Sequence, residues 1–498
     1  MTQTAPGAQP GADVRELRAQ ALELAPAELV IGGQWRNTAS GGEIAVENPA
    51  TGQVLARVPA AGPAEGLAAL DAAAGASQAW ARLAPRQRGE ILRRAFELIT
   101  ERERQFAALI TLEMGKPLAD ALGEVRYGAE FFRWYAEEAV RLYGRTATSP
   151  EGHLDILTVP RPVGPCLFIT PWNFPLAMAT RKIGPALAAG CTCVIKPASL
   201  TPLSTLAVAR VLEEAGVPAG VVNVIPARGD AATAPILADR RLRKLSFTGS
   251  TPVGQRLLAD AAPGVLRTSM ELGGCAPFIV FADADLDVAV DSAVAAKTRS
   301  NGEACNAANT FYAQAGVAEE FARRLAERFA AIEVGDGLEP GVGLGPLVSR
   351  GQRQTVAELV DSAVHDGARP LTGGSVPPGA GYFYPPTVLA GVPEGSAVVT
   401  TEIFGPVAPV TPFETVDEVL ARANAVDVGL AGYVYTRDMA LVQRCVRELE
   451  VGMLAVNTGP ISNAAAPFGG IKHSGLGREG GPEGIQEYVD SLYVGIPR

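Results

Sequence analysis

Histidine is nearly missing from this chain: three in 498 residues, His153, His365 and His473. They stand far apart, without the spacing of metal ligands, which argues against a histidine metal site and against a serine–histidine triad. Charge is sparse at 19%, and its balance is acidic, with a net charge of -10. An acidic chain is a poor match for nucleic acid or an anionic membrane. No apolar run reaches the length of a membrane span. Residues 1–20, MTQTAPGAQPGADVRELRAQ, lack the basic start and apolar block of a secretory signal and read as a disordered tail. The six cysteines, Cys166, Cys191, Cys193, Cys275, Cys305 and Cys445, show no disulfide framework. They read as reduced thiols of a cytoplasmic protein.

What is present is an ordinary globular balance, 47% hydrophobic, in a chain long enough for roughly three domains. Gly and Pro are frequent but spread out, and so mark turns rather than a disordered tract. Residues 64–124 are largely helical by spacing, with Ile91, Leu92, Ala95, Phe96 and Ile99 on one face. From Asp155 onward short apolar strands alternate with helices, which predicts an α/β fold with parallel, doubly wound sheets. Cys191 and Cys193 alternate inside an apolar strand and read as core rather than as metal ligands. The end of the chain, from Gln486 to Val494, is strand-like and apolar enough to pair with an edge, including that of a partner subunit.

Four stretches carry candidate chemistry. Cys305 sits in KTRSNGEACNAANTFYAQ, where small and polar residues replace the Leu, Ile and Val of a core segment. Gly302 would let substrate and backbone approach closely, and the charge of Arg299 would favour a thiolate. A packing cysteine is the bland alternative. In TPWNFP, Asn173 follows a strand and is placed to hydrogen-bond an oxyanion, or simply closes a turn beside Pro. In MELGG, Glu271 is a lone acid among apolar residues, either a general base with a raised pKa or a glutamate on a solvated loop. In FTGSTPVG, Gly249 and Gly254 flank Ser250 at a helix start that can take a pyrophosphate, or that is an ordinary serine-capped turn. The literal G-x-G-x-x-G at Gly475, Gly477 and Gly480 follows no predicted strand and reads as a chance match.

Together these stretches resemble the aldehyde dehydrogenase superfamily from about Leu29 to the C-terminus. Further matching motifs are Ile195-Lys196-Pro197, Glu402-Ile403-Phe404-Gly405-Pro406 and Pro467-Phe468-Gly469-Gly470. The resemblance implies a Rossmann-type cofactor domain over 21–143 and 161–274, a catalytic domain over 275–458, and an oligomerisation arm with a C-terminal strand over 144–160 and 459–498. It implies Cys305 as nucleophile, Asn173 as oxyanion donor and Glu271 as the base that hydrolyses a thioester. Thr170, Pro171, Trp172, Lys196, Ser199, Gly249, Ser250, Gly254, Leu272, Glu402 and Phe404 would contact the nicotinamide cofactor. No metal is implied, and the expected assembly is a homodimer or homotetramer.

Within the superfamily the sequence is similar to the succinate-semialdehyde dehydrogenases. Arg181, Arg299, Ser462 and Phe468 match their substrate-binding positions, which implies an aldehyde bearing a distal carboxylate, held by the arginine fork. Glutarate semialdehyde is an alternative substrate, and a cofactor-independent thiol hydrolase a remote one. Coenzyme A transfer is disfavoured by Glu271. Ser199 stands where NAD-preferring relatives commonly carry a glutamate, which implies NADP, with NAD possible. The chain departs from the family at Glu303, Thr310 and Thr401. Glu303, two residues before Cys305, is expected to raise the thiol's pKa.

Overall fold

Five short strands, Cys166–Ile169, Cys193–Lys196, Val222–Val224, Lys244–Thr248 and Arg267–Glu271, form the centre of an eight-stranded sheet in the computed structural model, which describes residues 10–459 and 461–498. All five run parallel, and their order across the sheet is third, second, first, fourth, fifth. In a sheet wound this way the crossovers reverse direction between the first and fourth strands, and the crevice at their carboxyl ends is where ligands bind. Leu29–Ile31 with Gln34–Arg36 closes one edge and Gly475–Leu476 the other, each antiparallel to its neighbour. The helix Ala177–Ala189 is buried at every residue and ends where Gly190 turns into the left-handed region, φ 99°.

A second, seven-stranded sheet is ordered Arg369–Thr372, Thr387–Ala390, Val407–Phe413, Ala308–Gln314, Ala276–Val280, Ala431–Tyr435, Met453–Val456. It is parallel except at its first strand. Its interior is aromatic: the Phe278 ring lies 4.6 Å from Tyr435 and 5.0 Å from Phe311. A third sheet is an antiparallel ribbon of Arg145–Thr148, Leu154–Pro162 and Val489–Pro497. Among the described residues no helix is long and apolar enough to cross a membrane.

Several expectations need correction. Of the expected tail, residues 1–9 lie outside the described residues, but Pro10–Leu24 is a helix packed on Glu103–Met114. Leu17 and Ala21 are buried there, with Val14 and Leu24 against the same core, a helical stripe that the surrounding polar residues obscure. The expected C-terminal strand is present: one edge pairs along its length with Leu154–Pro162 of its own chain, and among the described residues no strand lies on its other edge. The segment 459–498 is also not all arm, because Gly475–Leu476 pairs with Met270 and Glu271 in the first sheet. That pairing makes Arg267–Glu271 an internal strand, so Glu271 lies on no solvated loop.

Candidate active site

The carboxyl rim of the first sheet gathers most of the residues expected to face a cofactor. Ile169 pairs with Lys196, and the Thr170 N–H donates to the Lys196 carbonyl at 3.2 Å. On the other side of the switch point the Gly249 N–H donates to the Glu271 carbonyl at 3.0 Å. Pro171, Trp172, Gly249, Ser250 and Leu272 line one cleft of about 280 Å³, together with Asn173, Glu271, Cys305, Glu402 and Phe404. Thr170, Lys196, Ser199 and Gly254 stand behind or beside this cleft rather than on its wall. Ser250 precedes the helix Thr251–Ala261 without a side-chain capping bond, so the serine-cap reading fails and the helix's first N–H groups stay available. A Cβ on Gly254 would come within 2.5 Å of the Leu272 side chain, which explains the glycine by packing.

Cys305 follows a tight turn, Arg299–Gly302, in which Ser300 and Asn301 both hold positive φ, 54° and 59°. Gly302 continues it at φ 79°, with the Gly405–Pro406 backbone packed where a Cβ would sit. The close approach that requires this glycine is therefore backbone against backbone, not substrate. Burial pushes the Cys305 thiol up to about 12, with Arg181 the main opposing influence and Arg299 a minor one. Cys305 thus rests as a thiol, and to act as a nucleophile it would need a base. Glu303 is not among the main influences on the thiol: its side chain is fully buried, its Oε1 accepts from the Val348 N–H at 3.1 Å, and burial raises its carboxyl well above the ordinary range.

Asn173 Nδ2 donates one bond, to the Glu303 carbonyl at 2.9 Å, which leaves its second N–H for a ligand. Glu271 is buried with both carboxylate oxygens unpartnered. Burial first, then the negative charge of Glu479, raises it to about 8, against Arg181 and Lys182. Glu402 is raised by burial to about 7, its Oε1 also without a partner. Phe404 sits at φ 51° with its ring edge-on to Trp172 at 5.2 Å. Unpartnered buried oxygens on Glu271, Glu402, Thr170 and Thr248 around one cleft suit a ligand rich in hydroxyl and amide groups, and the free N–H groups at Ser250 suit its phosphates. A nicotinamide dinucleotide fits this donor set.

Of the residues expected on the substrate side, Ser462 and Phe468 line a second cavity of about 470 Å³, whereas Arg181 and Arg299 do not line it and reach it only through contacts with those two. Arg299 donates to Ser462 Oγ at 3.4 Å and lies over the Phe174 ring. Arg181 is fully buried, 4.3 Å over the Phe468 ring, and its Nε meets Glu479 Oε2 at 2.5 Å. It is therefore already paired, not a surface charge. Glu479 and Lys182 are residues that sequence reasoning passed over. Lys182 Nζ bridges Glu479 Oε1 at 2.5 Å and Ser246 Oγ at 2.8 Å. Burial works against the charge on Glu479, but Arg181 and Lys182 hold it below the ordinary carboxylate range. A signal existed: an Arg-Lys pair inside an apolar, small-residue run, and an acid inside the glycine motif dismissed as chance. Gln352 was also missed, and it donates to the Phe404 carbonyl at 2.9 Å from a helix on the far wall of the cleft.

A family model for the aldehyde dehydrogenase family matches residues 35–494. The chain belongs to the aldehyde dehydrogenase family. Among curated relatives it is 57% identical to a succinate-semialdehyde dehydrogenase of Paenarthrobacter nicotinovorans, over 89% of this chain and 99% of that protein. It is 47% identical to a glutarate-semialdehyde dehydrogenase of Pseudomonas putida, over 94% and 97%. Among solved structures, one described as an E. coli NADP dependent enzyme superposes with a TM-score of 0.94 at 46% identity, covering 96% of this chain and 99% of that one. None of these three carries the name of a thiol hydrolase.

Proposed function

We propose that this enzyme oxidises succinic semialdehyde, or the one-carbon-longer glutarate semialdehyde, to the dicarboxylic acid with NADP as the preferred cofactor. The observation that carries the proposal is the convergence of Cys305, Asn173 and an unpartnered buried Glu271 on one cleft, with Arg181 and Arg299 on the adjoining side. Cys305 gives its proton to Glu271, which passes it on to solvent, and the sulfur attacks the aldehyde carbon. The oxygen of the adduct becomes an oxyanion held by the free N–H of Asn173 and the backbone N–H of Cys305. When bound, the nicotinamide supplies the hydride acceptor. The acyl group is left as a thioester on Cys305, and Glu271 takes the proton of the water that hydrolyses it. Arg299, with Ser462, faces the substrate's distal carboxylate, and Arg181, paired with Glu479 and with its Nη2 on Met178 Sδ, adds positive charge behind it.

Trp172, Gly249, Ser250, Leu272, Glu402 and Phe404 would hold the cofactor, with Lys196 and Ser199 toward its adenosine end. An uncharged Ser199 leaves room for a 2′-phosphate and does not repel it. Residues 21–143 and 161–274 are assigned to the cofactor, 275–458 to the nucleophile, and the ribbon of Arg145–Thr148, Leu154–Pro162 and Val489–Pro497 to assembly as a dimer or tetramer in the cytoplasm. The test is a panel of succinic, glutaric and neutral aldehydes with NADP and NAD. Arg299→Ala should raise KM for the semialdehydes far more than for the neutral aldehyde, since losing one buried charge partner costs about 2–5 kcal/mol. Equal losses on both, or a strong NAD preference left unchanged by Ser199→Glu, would overturn the assignment.

A further inference from the structure

The two oxyanion donors belong to different segments: Asn173 follows a strand of the first sheet, and Cys305 precedes a strand of the second. Something must fix the distance between them, because a misplacement of about 1 Å can cost 10²-fold in rate. We propose that Lys116, just before the helix Leu118–Glu138, and Asp120 and Glu124 in its first two turns form a clamp that sets this distance, a proposal that rests on the roles given above to Asn173 and Cys305.

The bonds run to both segments. Lys116 Nζ donates to the Asn173 carbonyl at 2.7 Å and to Glu124 Oε2 at 2.6 Å, with its ammonium 3.7 Å over the Phe174 ring. The other oxygen of Glu124 accepts from the Leu176 and Ala177 N–H groups at 3.0 and 3.2 Å. Both side chains are 0% exposed. Four residues after Lys116, Asp120 Oδ2 accepts from the Ser300 N–H at 2.7 Å, in the turn that leads to Cys305. Ser300 Oγ then donates to the Asn173 carbonyl at 3.4 Å and closes the circuit.

A buried ion pair is weak evidence for stability. Here every bond the pair makes outside itself ends on the backbone of residues 173–177, which is what a positioning device requires. The Cys305 side has the matching feature. Ser300 and Asn301 hold left-handed conformations, which persist only where surroundings over-determine them. Asp120 supplies one restraint. Asn301 supplies the other through its own side chain, which accepts from the Gly345 N–H and donates to the Pro346 carbonyl, each at 2.8 Å. None of the three clamp residues lines the cleft, so their effect must pass through the donors they hold.

The experiment measures the single-turnover rate of cofactor reduction, NADP affinity and thermal stability for Lys116→Met, Asp120→Ala and Asp120→Asn, alone and combined with Asn173→Ala. Removing an oxyanion donor costs about 10²–10³-fold in rate. Asn173→Ala should fall in that range, and Lys116→Met should slow the rate at least about tenfold with NADP affinity unchanged. In the Asn173→Ala background Lys116→Met should add little, because the group it positions has gone. Asp120→Asn keeps an acceptor for the Ser300 N–H and should recover most of the rate that Asp120→Ala loses. If Lys116→Met does not fold, the uncharged pair Lys116→Met with Glu124→Gln replaces it under the same expectations. Full additivity with Asn173→Ala, or clamp variants that lose stability at an unchanged rate, would overturn the clamp. A normal rate for Asn173→Ala itself would instead overturn the oxyanion assignment.

Discussion

The two open sheets follow the same winding rule and bury different things. In the first sheet the strand Lys244–Thr248 has a polar face, Lys244, Ser246 and Thr248, and an apolar face, Leu245 and Phe247, all of them buried. Such alternation ordinarily marks a strand with one face in water. Here the polar face is wired instead: Lys244 Nζ donates to Ser269 Oγ at 2.6 Å, and Ser246 receives Lys182. Glu479 and Arg181 extend the network to within electrostatic reach of Glu271. The second sheet packs Phe278, Phe311, Tyr433 and Tyr435 against one another, with Phe321 below. An aromatic interior fixes shape. A charged interior fixes shape and also sets the protonation of whatever faces it. Cys305, the proposed nucleophile, comes from beside the aromatic body, and Glu271, the proposed base, from the charged one.

The comparison is sharpened most by Cys305→Ala. If chemistry and cofactor binding are divided between the bodies, aldehyde oxidation should fall to background while NADP affinity, measured by fluorescence quenching, stays unchanged. Substantial residual turnover would remove Cys305 from its role. Next are two core changes of similar expected cost. Phe278→Ala should destabilise by about 3–5 kcal/mol through lost packing. Lys182→Met should cost a similar amount, about 3–5 kcal/mol, by stripping Glu479 of one buried partner. Only Lys182→Met should alter the pH dependence of kcat/KM. A shifted pH profile in Phe278→Ala would break the distinction between the two interiors.

A smaller effect is expected from Glu479→Gln. Glu479 is negative and raises Glu271, while Arg181 and Lys182 oppose it. Removing the negative charge favours the carboxylate form of Glu271, so its pKa must fall from about 8. The rising limb of kcat/KM should therefore move to lower pH. A limb that stays put, or moves to higher pH, would mean that Glu271 does not control it.

Much of the alternation was legible because strands such as Cys166–Ile169 and Cys193–Lys196 are short apolar runs beside Gly or Pro, and many helices carry apolar stripes; Arg267–Glu271, which is not apolar, was missed. The strand order was not legible: nothing local in Cys166–Ile169 says that it lies between Cys193–Lys196 and Lys244–Thr248. Cys305, Asn173 and Glu271 stood out as candidates because polar or small residues interrupt apolar surroundings there, and the fold brings them to one cleft. Arg181 was singled out only by its match to the resembling family, and its pairing was not legible. Glu479 lies 297 residues from Lys182, and a contact at that separation leaves no periodic trace. The glycine motif at Gly475 read as a chance match, and the fold gives its first glycine a different reason. Its literal motif suggests phosphate, whereas its φ of 137° and the Met270 backbone packed against it show an edge strand.

Glu303, expected to set a charge beside the thiol, proves to be a fully buried carboxyl. Its folded pKa is raised well above the ordinary value by burial. A group raised in this way lends stability that is present below its unfolded pKa and lost as pH rises through the folded one. Between the two values the wild type loses up to about 1.4 kcal/mol per pH unit relative to a group that cannot titrate. Glu303→Gln retains a carbonyl for the Val348 N–H and removes the titration. Urea unfolding should therefore find the variant close to wild type near pH 5 and progressively more stable than wild type toward pH 8. Activity should stay within about twofold, since the substitution leaves the backbone carbonyl that receives Asn173 Nδ2 in place. A Glu303→Gln enzyme whose Cys305 alkylates much faster at neutral pH would show instead that the carboxylate is ionised and acts on the thiol.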